Sequence, residues 1–203
     1  MSTARTRQVG IYIYPEAEVL DFAGPYEVFT TASRVARRRW PAAPQPFDVA
    51  LIARQAGLLR ARHGFEVRAP FSIAEHPPLD VLIVAGGVPT AELARTEVIE
   101  WIAGCARDCE LTASVCTGAF LLGKAGLLDG KRATTHWEDA DELAAMLPRT
   151  QVLREPAWVD AGTVVTSAGI SAGIDMSLYL VERLAGGELA DATARQMQYD
   201  RRR

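Results

Sequence analysis

Cysteine and histidine are scarce in this sequence, which contains three of each among 203 residues. An odd number of cysteines does not suit a scaffold of paired disulfides and is typical of a reducing compartment. Cys105 and Cys109 lie four residues apart on a predicted helix. Because two thiols without a histidine at ligand spacing make a poor metal site, we expect no metal centre there.

Long apolar runs are absent as well. The first apolar run, Val9–Tyr14, is too short for a signal-peptide core or a membrane-spanning helix. The net charge is only −3, so the chain as a whole gives no case for binding nucleic acid or an anionic membrane. The basic runs at residues 34–39 and 201–203 are interpreted as solvated surface. We therefore expect a cytoplasmic protein that binds neither membranes nor nucleic acid.

The order of the predicted strands and helices indicates the fold class. Continuous apolar strands, such as Val9–Tyr14, Leu79–Ala85 and Leu111–Val115, alternate with helical segments of ten or more residues. Strands that are apolar on both faces are typical of a parallel sheet covered by helices on both sides. With 203 residues, 49% of them hydrophobic, the chain is expected to form one domain over residues 1–203. In such folds the functional site lies beyond the carboxyl ends of the strands.

Several segments carry their own structural signals. Leu20–Ala36 has the apolar spacing of a helix, with Gly24 and Pro25 placed in or just before its first turn. Thr90–Asp108 is predicted as one continuous helix. Leu58–Phe71 is predicted as a hairpin or an excursion from the sheet.

The most informative residue is Cys116, which ends the predicted strand Leu111–Val115 and directly precedes the predicted helix Thr117–Leu128. A side chain at a sharp strand-to-helix turn is exposed among outward-pointing backbone N–H groups, as in a nucleophile elbow. The nearby helix N-terminus also favours thiolate over thiol. A buried structural cysteine is the alternative, but such residues lie within a strand or on a helix face. We therefore predict that Cys116 is a reactive nucleophile.

Two further segments fall at predicted carboxyl ends of strands. Gly86 and Gly87 end a central strand, where they either bring N–H groups to a reacting centre as an oxyanion hole or form a plain turn. Asp21 follows the first strand at the start of a helix. It is interpreted as a helix cap or as a general acid and base beside the cysteine, with Glu16 and Glu18 as competing acids.

His136 follows a short predicted strand and is the best placed of the three histidines. A Cys/His pair is a common way to activate a thiol, whereas a packed imidazole beside Trp137 is the structural alternative. The small-residue segment Ser167–Gly173 contains Gly169 and Ile170. This segment either lines a pocket or only leads into a helix.

Motifs along nearly the whole chain resemble the ThiJ/PfpI superfamily of flavodoxin-like α/β proteins. The resemblance implies a three-layer sandwich with a mostly parallel sheet and a cysteine nucleophile elbow. The motifs that carry it are Tyr14-Pro15, Leu20–Pro25, Glu27–Phe29, Asp80–Gly87, Ser114–Gly130, Arg132–Trp137 and Ala168–Asp175.

Within this superfamily the chain is most similar to the isonitrile hydratase branch and to the sensor-like domain of AraC-type transcriptional regulators. In the hydratases the S-V-C-T-G motif carries the nucleophile, which Cys116 matches, and a neighbouring site threonine, which Thr117 matches. The L-D-x-x-G-P motif carries the essential acid, which Asp21 matches, and Ile170 matches a pocket residue. The resemblance implies that a homodimer, with no metal or organic cofactor, hydrates a small isonitrile to an N-substituted formamide.

Three positions depart from related patterns. Thr117 stands where PfpI-type proteases have a histidine, so a protease would lack its base. Asp21 stands where ThiJ-type and glyoxalase-like proteins have a glutamate, which argues against deglycase or glyoxalase activity. Ala85 replaces the proline of the P-G-G-T-G form common in hydratases. The alternative function is a domain that senses a ligand, or the oxidation of Cys116, without turnover.

Overall fold

Residues 5–201 are described by a computed structural model, in which strands and helices alternate along most of the chain. The β-strands are β1 (Arg7–Tyr12), β2 (Phe47–Ala53), β3 (Gly57–Arg60), β4 (Glu66–Ala69), β5 (Phe71–Ser72), β6 (Val81–Val84), β7 (Leu111–Ser114), β8 (Arg132–Ala133), β9 (Gln151–Val152), β10 (Trp158–Asp160) and β11 (Val164–Ser167). The α-helices are α1 (Val19–Arg39), α2 (Thr90–Leu93), α3 (Thr96–Asp108), α4 (Gly118–Lys124), α5 (Ala140–Met146), α6 (Ala172–Ala185) and α7 (Gly187–Gln196). Short 3₁₀ helices cover Arg62–Gly64 and Trp137–Asp139. Residues 202–203 of the C-terminal basic run lie outside the described residues.

A seven-stranded sheet forms the centre, in the order β10-β11-β7-β6-β1-β2-β5. Neighbouring strands run parallel, except β10 and β11, which form an antiparallel pair at one edge. This mostly parallel sheet confirms the predicted fold class. Its central strands are apolar because both faces are covered: Leu82 and Ile83 point to opposite faces of β6 and are both fully buried.

Helices flank this sheet in packed groups. α1 packs against α6 and α7 and contacts β2, while α4 packs against α3 and contacts β6 and β7. Phe29 of α1 meets Phe47 of β2 edge to face, with ring centroids 4.9 Å apart. Among the helices of residues 5–201, none combines the length and the apolar character needed to span a bilayer. These contacts hold the start of α1 at a defined position beside the sheet.

Two helices differ from their predictions. Pro25 lies inside α1, beyond the first turn that begins at Val19. Because proline has no N–H, the carbonyl of Asp21 receives no helical hydrogen bond from residue 25. The predicted helix Thr90–Asp108 is divided at residues 94–95 into α2 and α3. The hairpin within Leu58–Phe71 is confirmed by the antiparallel pairing of β3 and β4.

The carboxyl ends of β1, β6 and β7 lie side by side, because these three strands are adjacent and parallel. The loops that follow them therefore emerge at the same edge of the sheet. An isolated bridge between Ala17 and Gly87 joins the loop after β1 to the loop after β6. The N–H of Glu18 also donates to the carbonyl of Gly86 (2.9 Å). The three loops predicted to carry function thus meet in one place.

Candidate active site

Cys116 lies at the sharp turn between β7 and α4, which confirms the predicted elbow. Its φ is 54°, in the left-handed region that is unfavourable for a residue with a Cβ atom. The Cys116 N–H donates to the carbonyl of Ala168 (3.3 Å), and the hydroxyl of Thr135 donates to the Cys116 carbonyl (2.9 Å). A Cβ atom at Gly118 would lie 2.3 Å from the carbonyl oxygen of Val84, so the helix must begin with glycine to pack this closely. These contacts fix the direction of the thiol.

The elbow opens on a cleft of about 540 Å³. Cys116 lines this cleft and is 6% exposed. The cleft brings together five of the residues that the sequence predicts for the site. They are Gly87, Cys116, Thr117, His136 and Ile170.

Asp21 lies behind the elbow, in the first turn of α1. The N-cap of that helix is Glu18, so the interpretation of Asp21 as a helix cap is wrong. The Asp21 side chain is fully buried, and its Oδ2 accepts a hydrogen bond from the N–H of Gly86 (3.1 Å). A Cβ atom at residue 86 would lie 2.6 Å from that oxygen and 2.7 Å from the backbone nitrogen of Thr117. Glycine is therefore required where the loop after β6 passes between Asp21 and the elbow.

Burial raises the pKa of Asp21 to about 7, and the charge of Glu18 adds to this effect. The hydrogen bond from Gly86 and the contact with the Cys116 thiol act in the opposite direction. The buried Oδ1 has no partner of hydrogen-bond geometry among the described residues. A carboxyl that titrates near neutral pH can both give and take a proton.

The pKa of Cys116 contradicts the expectation drawn from the helix N-terminus. Burial raises it to about 12, and the neighbouring Asp21 carboxyl raises it further. The neighbouring backbone N–H groups of Thr117 and Ile170 lower the pKa without compensating for burial. The loss of hydration thus outweighs the short helix α4. At neutral pH the resting protein holds a thiol, and a base must take its proton before it attacks.

Gly86 and Gly87 do not supply free donors to a reacting centre. The N–H of Gly86 donates to Asp21, and the N–H of Gly87 donates to Oγ1 of Thr117 (2.8 Å). The same hydroxyl donates back to the Gly87 carbonyl (2.8 Å). Side chains thus occupy both N–H groups in the resting site, and the predicted role of Gly86 and Gly87 as an oxyanion hole stays a prediction. The backbone N–H groups that lower the pKa of the thiol are those of Thr117 and Ile170.

His136 lines the cleft with its ring against Gly169, where a Cβ atom would lie 2.2 Å from Cδ2 of the imidazole. Its Nδ1 accepts a hydrogen bond from the N–H of Glu138 (3.4 Å) and lies 3.4 Å from the Asp139 carboxyl. In the described part of the chain, the ring has no hydrogen bond to Cys116. The geometry therefore favours the packed imidazole over a Cys/His pair.

Comparison with known proteins assigns the chain to a family. Residues 7–183 match the sequence pattern of the DJ-1/PfpI family. The chain belongs to that family. An isonitrile hydratase from Pseudomonas putida is 32% identical over 196 residues, which are 95% of this chain and 78% of the hydratase. The HTH-type transcriptional regulator GbdR from Pseudomonas aeruginosa is 28% identical over 198 residues, which are 96% of this chain but only 51% of the regulator.

A solved structure supports the same assignment. A ThiJ/PfpI family protein from Pseudomonas syringae superposes with a TM-score of 0.84 at 25% identity, covering 99% of this chain and 78% of that one. The predicted resemblance and its flavodoxin-like fold are therefore confirmed. Because the relatives include both an enzyme and a regulator, family membership alone does not decide what this DJ-1/PfpI protein does.

The charged side chains that line the cleft of this DJ-1/PfpI protein are mostly acidic. Four carboxyls, those of Glu18, Glu138, Asp139 and Glu142, face a single guanidinium, that of Arg62. The guanidinium lies 3.8 Å from the Glu18 carboxyl, so that carboxyl already offsets its charge. The cleft therefore disfavours anionic ligands.

Tyr14 is not among the residues that the sequence predicts for the site. It lies two residues beyond the end of β1 and is 1% exposed. Its hydroxyl makes no hydrogen bond of ordinary geometry among the described residues, and the nearby hydroxyl of Thr117 lowers its pKa only slightly against burial. Burial holds its pKa well above the ordinary value, and the charges of Asp21 and Cys116 add to this. A tyrosine at the end of an apolar strand has the pattern of a core aromatic, so periodicity could not mark it as a site residue.

Proposed function

We propose that this protein is an isonitrile hydratase-like enzyme, which adds water to an isonitrile and releases an N-substituted formamide. The observation that carries the proposal is the pairing of a thiol at a strained turn, Cys116, with a buried carboxyl, Asp21, whose pKa is about 7. The similarity to the Pseudomonas putida hydratase over 95% of this chain supports it. An isonitrile is neutral, which suits a cleft that disfavours anions.

The first step forms a covalent thioimidate. The Asp21 carboxylate takes the proton of the Cys116 thiol, and the sulfur attacks the isonitrile carbon. Asp21 then gives that proton to the same carbon, so an S–C and a C–H bond form and no atom is lost. Because the Asp21 pKa is about 7, both its charged and neutral forms are available at neutral pH.

Water completes the reaction. The Asp21 carboxylate takes one proton from water as the oxygen attacks the thioimidate carbon, and the nitrogen gains that proton. Cleavage of the C–S bond releases the formamide, and the proton of the new hydroxyl returns to sulfur. The N–H groups of Thr117 and Ile170 stabilise the leaving sulfur, and the two hydrogen bonds of Thr117 to Gly87 hold its N–H in place.

Formation of formamide from a model isonitrile, followed by NMR, tests the proposal. We expect many turnovers for the wild-type protein, none for Cys116→Ala, and a loss of roughly 10²- to 10⁴-fold for Asp21→Asn. Cys109→Ala is the matched control, because this half-buried cysteine also has a raised pKa but does not line the cleft. Formamide production by Cys116→Ala would refute the mechanism, and full activity of Asp21→Asn would remove Asp21 from it.

Ligand sensing without turnover is the second candidate, and the similarity to the regulator GbdR favours it. Sensing by oxidation has less support, because a thiol pKa of about 12 leaves little thiolate to react with peroxide at neutral pH. Intact mass after peroxide treatment separates the candidates. Stable addition of two or three oxygen atoms to one cysteine, with no isonitrile turnover, would favour the sensor.

Three further expectations belong to this proposal. The protein acts as a homodimer, its domain extends over residues 1–203, and it works in the cytoplasm. Light scattering of the purified protein tests the first, and limited proteolysis tests the second.

A further inference from the structure

Glu92 is a buried carboxyl that the proposed chemistry does not use. It lies in α2 and is only 2% exposed. A glutamate is almost never buried this deeply unless its charge is paired. The hydroxyl of Tyr12 donates to Oε2 of Glu92, and Nε of Arg95 donates to Oε1 at 3.0 Å. Each carboxyl oxygen therefore has a partner, one from the end of β1 and one from the start of α3.

The helix that carries Glu92 has only four residues. A helix this short is not stable by itself, because the first turn fixes several residues for a single hydrogen bond. Its N-cap is Pro89, whose side chain has no oxygen to accept from the first helical N–H groups. The packing of α2 against α3 and α4 and the bonds of Glu92 therefore decide where this helix lies.

Tyr12 is a rigid anchor for this network. It is the last residue of β1, an interior strand of the sheet, and it is fully buried. Its ring packs against that of Trp101, with centroids 5.2 Å apart, and the indole N–H of Trp101 donates to Nε2 of His76 (2.9 Å). Because pairing does little more than offset the cost of burying a charge, the position that the network fixes explains it better than a gain in stability.

The opposite face of α2 forms one wall of the cleft. Thr90 and Leu93 are three residues apart and therefore share a face of the helix, whereas Glu92 lies on another. Thr90 and Leu93 line the cleft that contains Cys116, together with Val88 from the preceding loop. This wall is mostly apolar, and the side chain of Val88 is 42% exposed. A shift of α2 would therefore move apolar groups that a bound substrate can contact.

We propose that Glu92 is a positioning residue, whose bonds to Tyr12 and Arg95 hold Val88 and Leu93 where they contact the N-substituent of the substrate. From outside the cleft, it sets how strongly an alkyl substituent binds, and it takes no part in the proton transfers. The inference rests on the cleft as the substrate site of the proposed function.

Turnover of methyl isonitrile and n-butyl isonitrile by Glu92→Gln tests the inference. Glutamine keeps the shape of the side chain but removes the charge that faces the guanidinium of Arg95. We expect the KM of n-butyl isonitrile to rise by roughly 4- to 15-fold, which corresponds to lost contact with one or two CH₂ groups. The KM of methyl isonitrile and both kcat values should change by less than about 3-fold, because the groups that react are untouched.

Glu110→Gln is the matched control. Glu110 pairs with Arg7 at 2.8 Å, so the variant also removes one carboxylate from an ion pair with an arginine. This pair lies at the amino ends of β1 and β7, at the opposite edge of the sheet from the cleft. We expect Glu110→Gln to leave the KM values of both isonitriles unchanged.

Alkylation of Cys116 gives a second measurement that does not depend on isonitrile turnover. Iodoacetamide and N-butyl iodoacetamide differ only in the alkyl chain, and peptide mass spectrometry follows the rate of each. The rate of the butyl reagent relative to the small one should fall in Glu92→Gln by the same factor as above and stay constant in Glu110→Gln.

Equal changes for the small and the butyl compounds in folded Glu92→Gln, or no change, would overturn the inference. If that variant does not fold, Tyr12→Phe removes only the hydroxyl at the other end of the network and should produce the same selective loss. The absence of that loss would again overturn the inference. A protein that hydrates no isonitrile but shows the selective loss in alkylation would refute the proposed function and leave the role of Glu92 intact.

Discussion

Replacement of Gly86 by alanine tests whether the loop after β6 sets the geometry of the site. Gly86 has no left-handed φ, so alanine is compatible with its backbone and the effect comes from contacts alone. The new Cβ atom would lie 2.6 Å from Oδ2 of Asp21, 2.7 Å from the nitrogen of Thr117 and 2.8 Å from its Oγ1. Reaching an ordinary contact distance of 3.4 Å requires the carboxyl to move by about 0.8 Å.

This displacement has a predicted cost in both activity and stability. A misplacement of about 1 Å in a catalytic group lowers activity by roughly 10²-fold, and overpacking of a tight site costs about 1–3 kcal/mol in the free energy of unfolding. Isonitrile turnover measures the first effect, and urea denaturation measures the second.

Gly104→Ala is the matched control for this substitution. Gly104 lies within α3, and its added Cβ atom would meet only the end of Arg107, at 3.7 Å. We expect unchanged activity and a gain of about 0.5–1 kcal/mol from helix propensity. If Gly86→Ala kept full activity and stability while the contacts are as described, the assignment of Asp21 and Thr117 to a tightly packed site would be wrong.

Three other predictions follow from the site. The pKa of Asp21 is about 7 in the folded state against an ordinary value of 3.8, so between these two pH values the folded state binds more protons than the unfolded state and loses stability as the pH rises. Asp21→Asn should remove this pH dependence and raise the free energy of unfolding at pH 8 by about 1–4 kcal/mol, measured by urea denaturation at pH 4 and pH 8. Thr117→Val removes both hydrogen bonds to Gly87 and should lower the free energy of unfolding, measured by urea denaturation, by about 1–3 kcal/mol. Thr117→Ser keeps the hydroxyl and should keep most of this stability, so equal stability of the two variants would contradict the role of the hydroxyl. His136→Asn should lower turnover by less than about 10-fold, because the imidazole is packed against Gly169 and makes no hydrogen bond to Cys116 among the described residues. A loss of 10²-fold or more would restore it as an acid or base.

Much of the fold follows from local sequence pattern. Continuous apolar runs such as Val81–Ala85 predict strands that are buried on both faces, because no polar side chain is left to face water. The apolar run that ends at Cys116, followed by small residues, predicts a strand-to-helix turn for the same local reason. Pro25 shows the limit of this reasoning. Tertiary packing of α1 tolerates a proline beyond the first turn, whereas local propensity places it in or just before that turn.

The sequence by itself determined the parallel sheet, the elbow at Cys116 and, through its motifs, the DJ-1/PfpI resemblance. Only the tertiary structure decided the electrostatics and the donors of the site. The raised pKa of Cys116, the engagement of the Gly86 N–H by Asp21 and the unpartnered hydroxyl of Tyr14 all depend on contacts between segments far apart in the chain. Spacing along a sequence reports local conformation, whereas burial and the availability of an N–H group depend on which segments fold against each other.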